Sequence, residues 1–241
     1  MIAIILAGGY GVRLRPLTRD TAKPLLPVGG RPIIDHIVGR LLTLEEITQI
    51  IVSTNERFLG QFSEWLNHRK YGRVRIATEP GRSEDDKLGA VKALSELTMG
   101  LDSTEYLVIA GDNLFTSDLK DVIEYYRARQ SPIVALYDVK DLEAAKRYGC
   151  VEVDADGRIM GFKEKPERPK STLIATCIYV LPERSLKRAR EYLEEGNNPD
   201  APGYFLQWLC RMEEVYGYVL TGYWSDIGNL ESYEKAKKIF P

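Results

Sequence analysis

The stretch Leu6-Ala7-Gly8-Gly9-Tyr10-Gly11-Val12-Arg13, with Lys23 following in KPLLPVGGRP, concentrates glycine and positive charge directly after the apolar run MIAII. Glycines at 8, 9 and 11 let backbone N–H groups come close to phosphate oxygens, while the Arg13 guanidinium and the Lys23 ammonium can neutralise charge spread over a triphosphate. Two prolines, Pro24 and Pro27, frame the segment after Lys23 and make it stiff. Spacing excludes two familiar phosphate grips. Read from Gly9, the third glycine of G-x-G-x-x-G is replaced by Leu14; read from Gly8, the last glycine of G-x-x-x-x-G-K-[ST] is replaced by Arg13. Across residues 1 to 34, Arg13, Arg15, Arg19, Lys23 and Arg31 face only Asp20, a focused positive charge suited to a compact anion.

Two carboxylates complement these cations. Asp112, in VIAGDN, follows a predicted buried strand at the rim where α/β proteins bind ligands, and hard oxygen donors there suit Mg²⁺; Gly-Asp-Asn is equally ordinary turn chemistry. Asp226, in YWSDIG, has a similar setting, with a helix N-cap or Asx turn as the alternative. In KEKP, residues 163 to 166, a regular strand would point Glu164 and Lys165 to opposite faces, so aiming both at one ligand requires an irregular turn before Pro166; otherwise the segment is a solvated charged patch. The acid run SEDD at 83 to 86 reads as an exposed loop, and His36 and His68 read as surface or helix-cap residues. Cys150, Cys177 and Cys210 form an odd, widely spaced set without C-x-x-C, which predicts buried free thiols rather than disulfides or a thiolate metal site.

The elements that must position these groups are legible as alternating patterns. IAIIL (2 to 6), QIIVST (49 to 54), VRIAT (74 to 78), YLVIA (106 to 110) and PIVALYDV (132 to 139) are predicted strands. Ile33, Ile34, Ile37, Val38, Leu41 and Leu42 make one helix face opened by Pro32, and Phe58, Leu59, Phe62, Trp65 and Leu66 make another. Further helices are expected near 88 to 98 and 118 to 129. Near-continuous apolar strands joined by helices imply a mostly parallel sheet flanked by helices, with ligands at the strands' carboxyl ends. From about residue 148 the strands shorten and alternate (CVEV, RIMGFKE, LIATCIYV), followed by helices near 183 to 196 and 204 to 214 and a closing helix from Asn229 or Leu230 to Ile239.

At 241 residues and 44% hydrophobic content, the chain has the size of one larger α/β domain. A net charge of −2 argues against a protein that coats nucleic acid or an anionic membrane. No apolar run approaches the roughly 20 residues of a membrane span, and no leader pattern follows Met1, so a cytoplasmic location is expected.

Taken together, LAGGYGVRLRPLT, KPLLPVGGRPII, GDN, EKP and WSDIG resemble the sugar-1-phosphate nucleotidylyltransferases over essentially the whole chain, closest to the glucose-1-phosphate thymidylyltransferase type. The R-L-x-P-L-T and K-P-x-x-P continuation separates this pattern from the molybdenum-cofactor nucleotidyltransferases, which share only LAGG. The resemblance implies an α/β, Rossmann-like single domain over residues 1 to 241, with a nucleotide-binding core at about 1 to 140 and a sugar-phosphate-binding and capping part at about 141 to 241. It also implies the reaction of an NTP with a sugar 1-phosphate to give an NDP-sugar and pyrophosphate. In that scheme Leu6, Ala7, Gly8, Gly9 and Gly11 cradle the nucleotide, Arg13 and Lys23 stabilise the triphosphate and the departing pyrophosphate, and Asp112 and Asp226 hold Mg²⁺. Asn113, Gly149, Glu164 and Lys165 surround the sugar phosphate, and Glu79 and Gly89 fall where the base is read. The attacking phosphate oxygen is already ionised at neutral pH, so no general base is required.

The type implies dTTP or UTP with glucose 1-phosphate. Guanylyl or cytidylyl transfer to another sugar 1-phosphate, and a non-catalytic nucleotide-sugar-binding regulatory subunit, are the alternatives; homo-oligomerisation is left open. Three departures bear on the choice: Glu79 stands where a glutamine often reads the pyrimidine, GRSEDDK intervenes before Leu88-Gly89, and TCIY at 176 to 179 replaces T-G-I-Y.

Overall fold

A computed structural model describes residues 1–240. The first strands are β1 (Ile2–Leu6), β2 (Pro27–Val28), β3 (Arg31–Pro32), β4 (Gln49–Asn55), β5 (Val74–Glu79), β6 (Glu105–Ala110) and β7 (Asn113–Phe115). They are followed by β8 (Ile133–Asp138), β9 (Gly149–Val153), β10 (Ile159–Glu164), β11 (Leu173–Pro182), β12 (Tyr216–Val219) and β13 (Trp224–Asp226). The helices are α1 (Ile33–Leu42), α2 (Leu59–Arg69), α3 (Ala90–Met99), α4 (Leu119–Arg129), α5 (Leu142–Ala145), α6 (Glu183–Glu194), α7 (Pro202–Met212) and α8 (Leu230–Ile239). The class is the expected α/β. The chain forms two compact units, one from Met1–Leu88, Ile109–Thr116 and the residues from Tyr223 on, the other from Gly89–Val108 and Ser117–Gly222. They interleave along the chain, so neither coincides with residues 1 to 140 or 141 to 241.

In the first unit β1, β4 and β5 are parallel, with Ile4 opposite Ile51 and Ile51 opposite Arg75. Ile2 to Ile5 are all buried, which is why β1 lacks the in/out alternation of a half-exposed strand. The expected face of α1 is buried through Ile33, Ile34, Ile37, Val38 and Leu41. A separate core gathers Leu14, Leu26, Val28, Ile33, Leu114, Ile227, Tyr233 and Ala236 around two small antiparallel pairs, β2 with β3 and β13 with β7. The expectation for His36 is corrected here: it is buried, with one ring nitrogen 2.9 Å from the Val28 carbonyl and the other 3.0 Å from the Arg31 guanidinium. The β2–β3 hairpin covers the helix side that the pattern alone leaves to solvent. His68 stays exposed, within hydrogen-bond distance of the Glu64 carbonyl.

In the second unit β11 pairs antiparallel with β8 and β9, β10 pairs antiparallel with β9, and β12 lies parallel to β8. Helices α3, α6 and α7 pack on one another. β11 is interrupted between Ala175 and Tyr179, where Cys177 takes a left-handed φ of 57°. All three cysteines are free, but only Cys150 is fully buried; Cys177 and Cys210 are half-buried, which amends the expectation of buried thiols. Among the described residues no helix is long and apolar enough to cross a membrane.

Candidate functional site

In the first unit the exit of β1 is held from three directions. Ala7 N donates to the Ser53 carbonyl at 2.8 Å, Asn55 Nδ2 donates to the Gly8 carbonyl at 2.9 Å, and Gly111 N donates to the Leu6 carbonyl at 2.8 Å. The glycines of the loop differ in what requires them. Gly11 sits at φ 61°, where a side chain is strained, and its carbonyl accepts from the Thr18 hydroxyl at 2.7 Å. At Gly8 a Cβ would overlap the Glu79 carboxylate, so the expected base-reading side chain rests directly on the loop. A Cβ on Gly9 would meet nothing, so that face of the loop is open to a ligand. Tyr10 is buried against Phe58 with its hydroxyl unpartnered, and burial, then the nearby Asp86 and Glu79 charges, push its phenol pKa up.

Arg13 lies exposed on a single 3-10 turn, Val12–Leu14, that follows Gly11. Lys23 starts a second such turn, Lys23–Leu25, with Pro24 at its second position. Gln61 fixes this segment by accepting from Ala22 N at 3.0 Å and donating to the Asp20 carbonyl at 2.8 Å. Lys23 Nζ then meets Asp112 Oδ2 at 2.7 Å, both side chains being largely buried, with 14% and 24% exposure. Gly111 permits this approach: a Cβ there would stand 3.0 Å from the Leu6 carbonyl oxygen and 3.1 Å from the Pro24 ring.

Asp112 occupies the turn between β6 and β7, and its carbonyl accepts from Ile227 N at 2.9 Å. Asp226 stands opposite the buried Asn113 in the β13–β7 register, so the two aspartates occupy adjoining positions across one short ladder. Asp226 is not the helix cap: α8 is closed by a capping box in which Asn229 Oδ1 accepts from Ser232 N and Ser232 Oγ accepts from Asn229 N. Carboxylates are the donor type that suits Mg²⁺, since that ion is usually held by one or two carboxylates together with phosphates and waters.

The second unit holds the remaining expected residues. The irregularity required in KEKP is present: Lys165 adopts φ 44° and its N donates to the Tyr148 carbonyl at 3.0 Å. Lys165 Nζ lies 3.7 Å from Glu164 Oε1; the lysine is 56% exposed while the Glu164 side chain is 8% exposed. Burial pushes the Glu164 pKa up, and Lys165 partly opposes that shift. Gly149 opens β9 beside this carboxylate, and a Cβ there would come within 2.7 Å of the Phe162 ring and 2.9 Å of Glu164 Oε2. Tyr179 is buried near the Glu164 charge and hydrogen-bonded to Cys177, and burial chiefly raises its pKa far above the usual phenol value. Gly89, at φ 92°, caps α3, and a Cβ there would lie 2.6 Å from the Pro199 carbonyl oxygen. The first amides of α3 are already engaged by the Pro199 and Asp200 carbonyls. SEDD is exposed as expected, with Asp86 accepting from Arg82 N and Ser83 N.

Sequence reasoning passed over Asn55, Gln61 and Gly111. The available signal for Asn55 was a polar residue at the end of an otherwise apolar strand; for Gln61, on a half-buried helix, there was none.

A family model described as nucleotidyl transferase matches residues 2–240. The glucose-1-phosphate adenylyltransferase of Clostridium novyi (strain NT) is 31% identical over 247 residues, covering 96% of this chain and 64% of that protein. The adenylyltransferase of the same name from Thermotoga maritima is 32% identical over 253 residues, covering 98% of this chain and 59% of its own. The chain thus spans about 60% of the length of these curated relatives. Among solved structures, a Bacillus anthracis protein described as a glucose-1-phosphate thymidylyltransferase, in complex with sucrose, superposes with a TM-score of 0.85 at 28% identity, over 100% of this chain and 95% of its own. A UDP-glucose pyrophosphorylase complexed with UDP-glucose shares the fold, with a TM-score of 0.81 at 22% identity over 100% of this chain and 98% of that one.

Proposed function

Because this chain belongs to the nucleotidyl transferase family, we propose that it catalyses attack of a sugar 1-phosphate on an NTP. A phosphate oxygen of the sugar phosphate bonds to the α-phosphorus, the α–β anhydride bond breaks, and pyrophosphate leaves with the electron pair. The observation that carries this reading is the Lys23–Asp112 pair, clamped beside the glycine loop with Asp226 on the adjoining strand. Backbone amides of Gly8, Gly9 and Gly11 hold phosphate oxygens, and Arg13 and Lys23 offset the charge that grows on the leaving pyrophosphate. Asp112 and Asp226 would hold Mg²⁺, which when bound neutralises phosphate charge and orients the triphosphate. Asn113, Gly149, Glu164 and Lys165 take the sugar phosphate, Glu164 accepting from a hydroxyl and Lys165 meeting the phosphate. Reaction reduces to placement and charge neutralisation, so the histidines are spectators.

Glu79 and Gly89 are assigned to the base. An ionised Glu79 only accepts hydrogen bonds, which suits the exocyclic amino group of a purine such as ATP or GTP. The adenylyltransferase names of the relatives favour ATP among these. The second reading, dTTP or UTP, rests on the thymidylyltransferase likeness at 28% identity. Incubating the protein with ATP, GTP, dTTP, UTP and CTP against a panel of sugar 1-phosphates, and following pyrophosphate, tests both. The highest kcat/KM is expected with ATP and glucose 1-phosphate, and excess EDTA should abolish turnover. No pyrophosphate from any pair would leave the regulatory-subunit reading in place, and undiminished activity in EDTA would remove Mg²⁺ from it.

A further inference from the structure

Helix α7 begins at Pro202, with Ala201 as its N-cap, and its second residue, Gly203, is buried. No unusual φ requires glycine there, and alanine is the better helix former. What excludes a side chain is the Glu164 carboxylate: a Cβ on Gly203 would overlap Oε2 and stand 2.5 Å from Cδ. From another direction, a Cβ on Gly149 would stand 2.9 Å from the same oxygen. The main chain of Glu164 is tied to the same helix, its N donating to Gln207 Oε1 at 2.9 Å. The N-terminal end of the α7 dipole favours negative charge there and offsets part of the cost of burying the carboxylate. Oε2 is therefore seated, while Oε1 is turned toward Lys165 Nζ at 3.7 Å. An acceptor and a cation at that separation match a hydroxyl and a phosphate carried on one small ligand.

We propose that Gly203 is a positioning residue for sugar 1-phosphate binding, leaving the space in which Glu164 seats one oxygen on α7 and presents the other beside Lys165; this rests on the assignment of Glu164 and Lys165 to the sugar phosphate. Any side chain at 203 displaces the carboxylate and spoils the hydroxyl contact without touching the nucleotide residues.

The test uses ATP and glucose 1-phosphate with Gly203→Ala in the wild-type and Glu164→Asp backgrounds, Asp being shorter by one methylene. Gly203→Ala should raise the KM for glucose 1-phosphate by about tenfold, the scale of one weakened hydrogen bond to a charged group. The ATP Kd without sugar phosphate should stay unchanged. In the Glu164→Asp background the same change should cost clearly less, because the shortened carboxylate leaves room for the methyl group. An unchanged KM, a parallel loss of ATP affinity, or an equal penalty in both backgrounds overturns the proposal. Should Gly203→Ala fail to fold, a folded double variant supports it and an unfolded one overturns it. Lys165→Ala separates the two levels of inference. If it raises the KM for glucose 1-phosphate while Gly203→Ala does not, only the role of Gly203 falls; if neither does, the sugar-phosphate assignment falls with it.

Discussion

Each unit carries one acid–lysine pair among the candidate site residues, and the two are built in opposite ways. Lys23 and Asp112 come from distant parts of the chain, meet at 2.7 Å and are both largely buried, so each charge is answered directly by the other. Glu164 and Lys165 are neighbours in sequence, brought to one side by a left-handed residue, 3.7 Å apart, with the acid buried and the base exposed. The first arrangement is a preorganised ion pair; under the proposed function its lysine would turn to a phosphate and its carboxylate to a metal. The second keeps a carboxylate under desolvation strain, visible in its raised pKa, with a cation reaching outward. Under the proposed function, the first pair would face the triphosphate and the second the sugar phosphate.

The sharpest break would come from Lys23→Ala, expected to cost about 2.7–4 kcal/mol in kcat, the range for losing one preorganised charge-stabilising donor. Arg13→Ala should fall in the same range, of order 2.7 kcal/mol, while thermal unfolding stays cooperative. Near-normal turnover in either would remove that residue from charge stabilisation in the reaction. Lys165→Ala should be milder, about 1.5–3 kcal/mol in kcat/KM for the sugar phosphate, with NTP binding measured alone unaffected. Equal damage to NTP affinity would erase the contrast between the pairs. Glu79→Gln sharpens the chemistry on the first unit's side: the added donor should shift preference toward dTTP and UTP by about 1–3 kcal/mol in kcat/KM, and an unchanged ranking would remove Glu79 from base reading.

The smallest effect concerns stability, where the pairs should respond with opposite signs. A raised folded pKa means the native state holds the Glu164 proton more tightly than the unfolded chain does. Its contribution to stability is therefore lost as pH rises from the ordinary value of 4.5 through the folded value. Glu164→Gln should raise Tm at neutral pH, with the gain vanishing below about pH 4. Asp112→Asn, which leaves the largely buried Lys23 charge without its partner, should lower Tm at neutral pH. Thermal melts of both variants across pH 4 to 8 provide the measurement, and a shift of the same sign for both at neutral pH would contradict the distinction.

The units were unequally legible in the sequence. β1 was read to the residue, and β4, β5 and β8 to within one residue at each end, because short β-branched runs bounded by polar residues have few other solutions. α7 was placed two residues late, since Pro202 at the first helical position was not weighed as a start signal. β2, β3, β7 and β13 were invisible: two or three residues carry no periodicity, yet the last two bring Asp226 beside Asn113. The motif residues could be named in advance, and alternation in KEKP showed that Glu164 and Lys165 could share one ligand only if the strand bent before Pro166, as it does at Lys165. The Lys23–Asp112 contact and the burial of Glu164 were not legible, because both depend on tertiary neighbours that carry no local mark.

The capping box at Asn229 and Ser232 bears on the order in which the protein assembles at the ribosome. It launches α8, whose Tyr233 hydroxyl donates to the Pro27 carbonyl at 2.8 Å, far upstream of it in sequence. The core that α8 completes also draws on Leu14, Leu114 and Ile227, so three separated lengths of nascent chain must be present before it can close. Every residue of the second unit has been synthesised by Gly222, before Asp226 is added. A stalled translation product ending at Gly222 would carry the complete Glu164–Lys165 pair but only Asp112 of the two aspartates, so the second unit's pair would mature earlier in synthesis than the first unit's carboxylates.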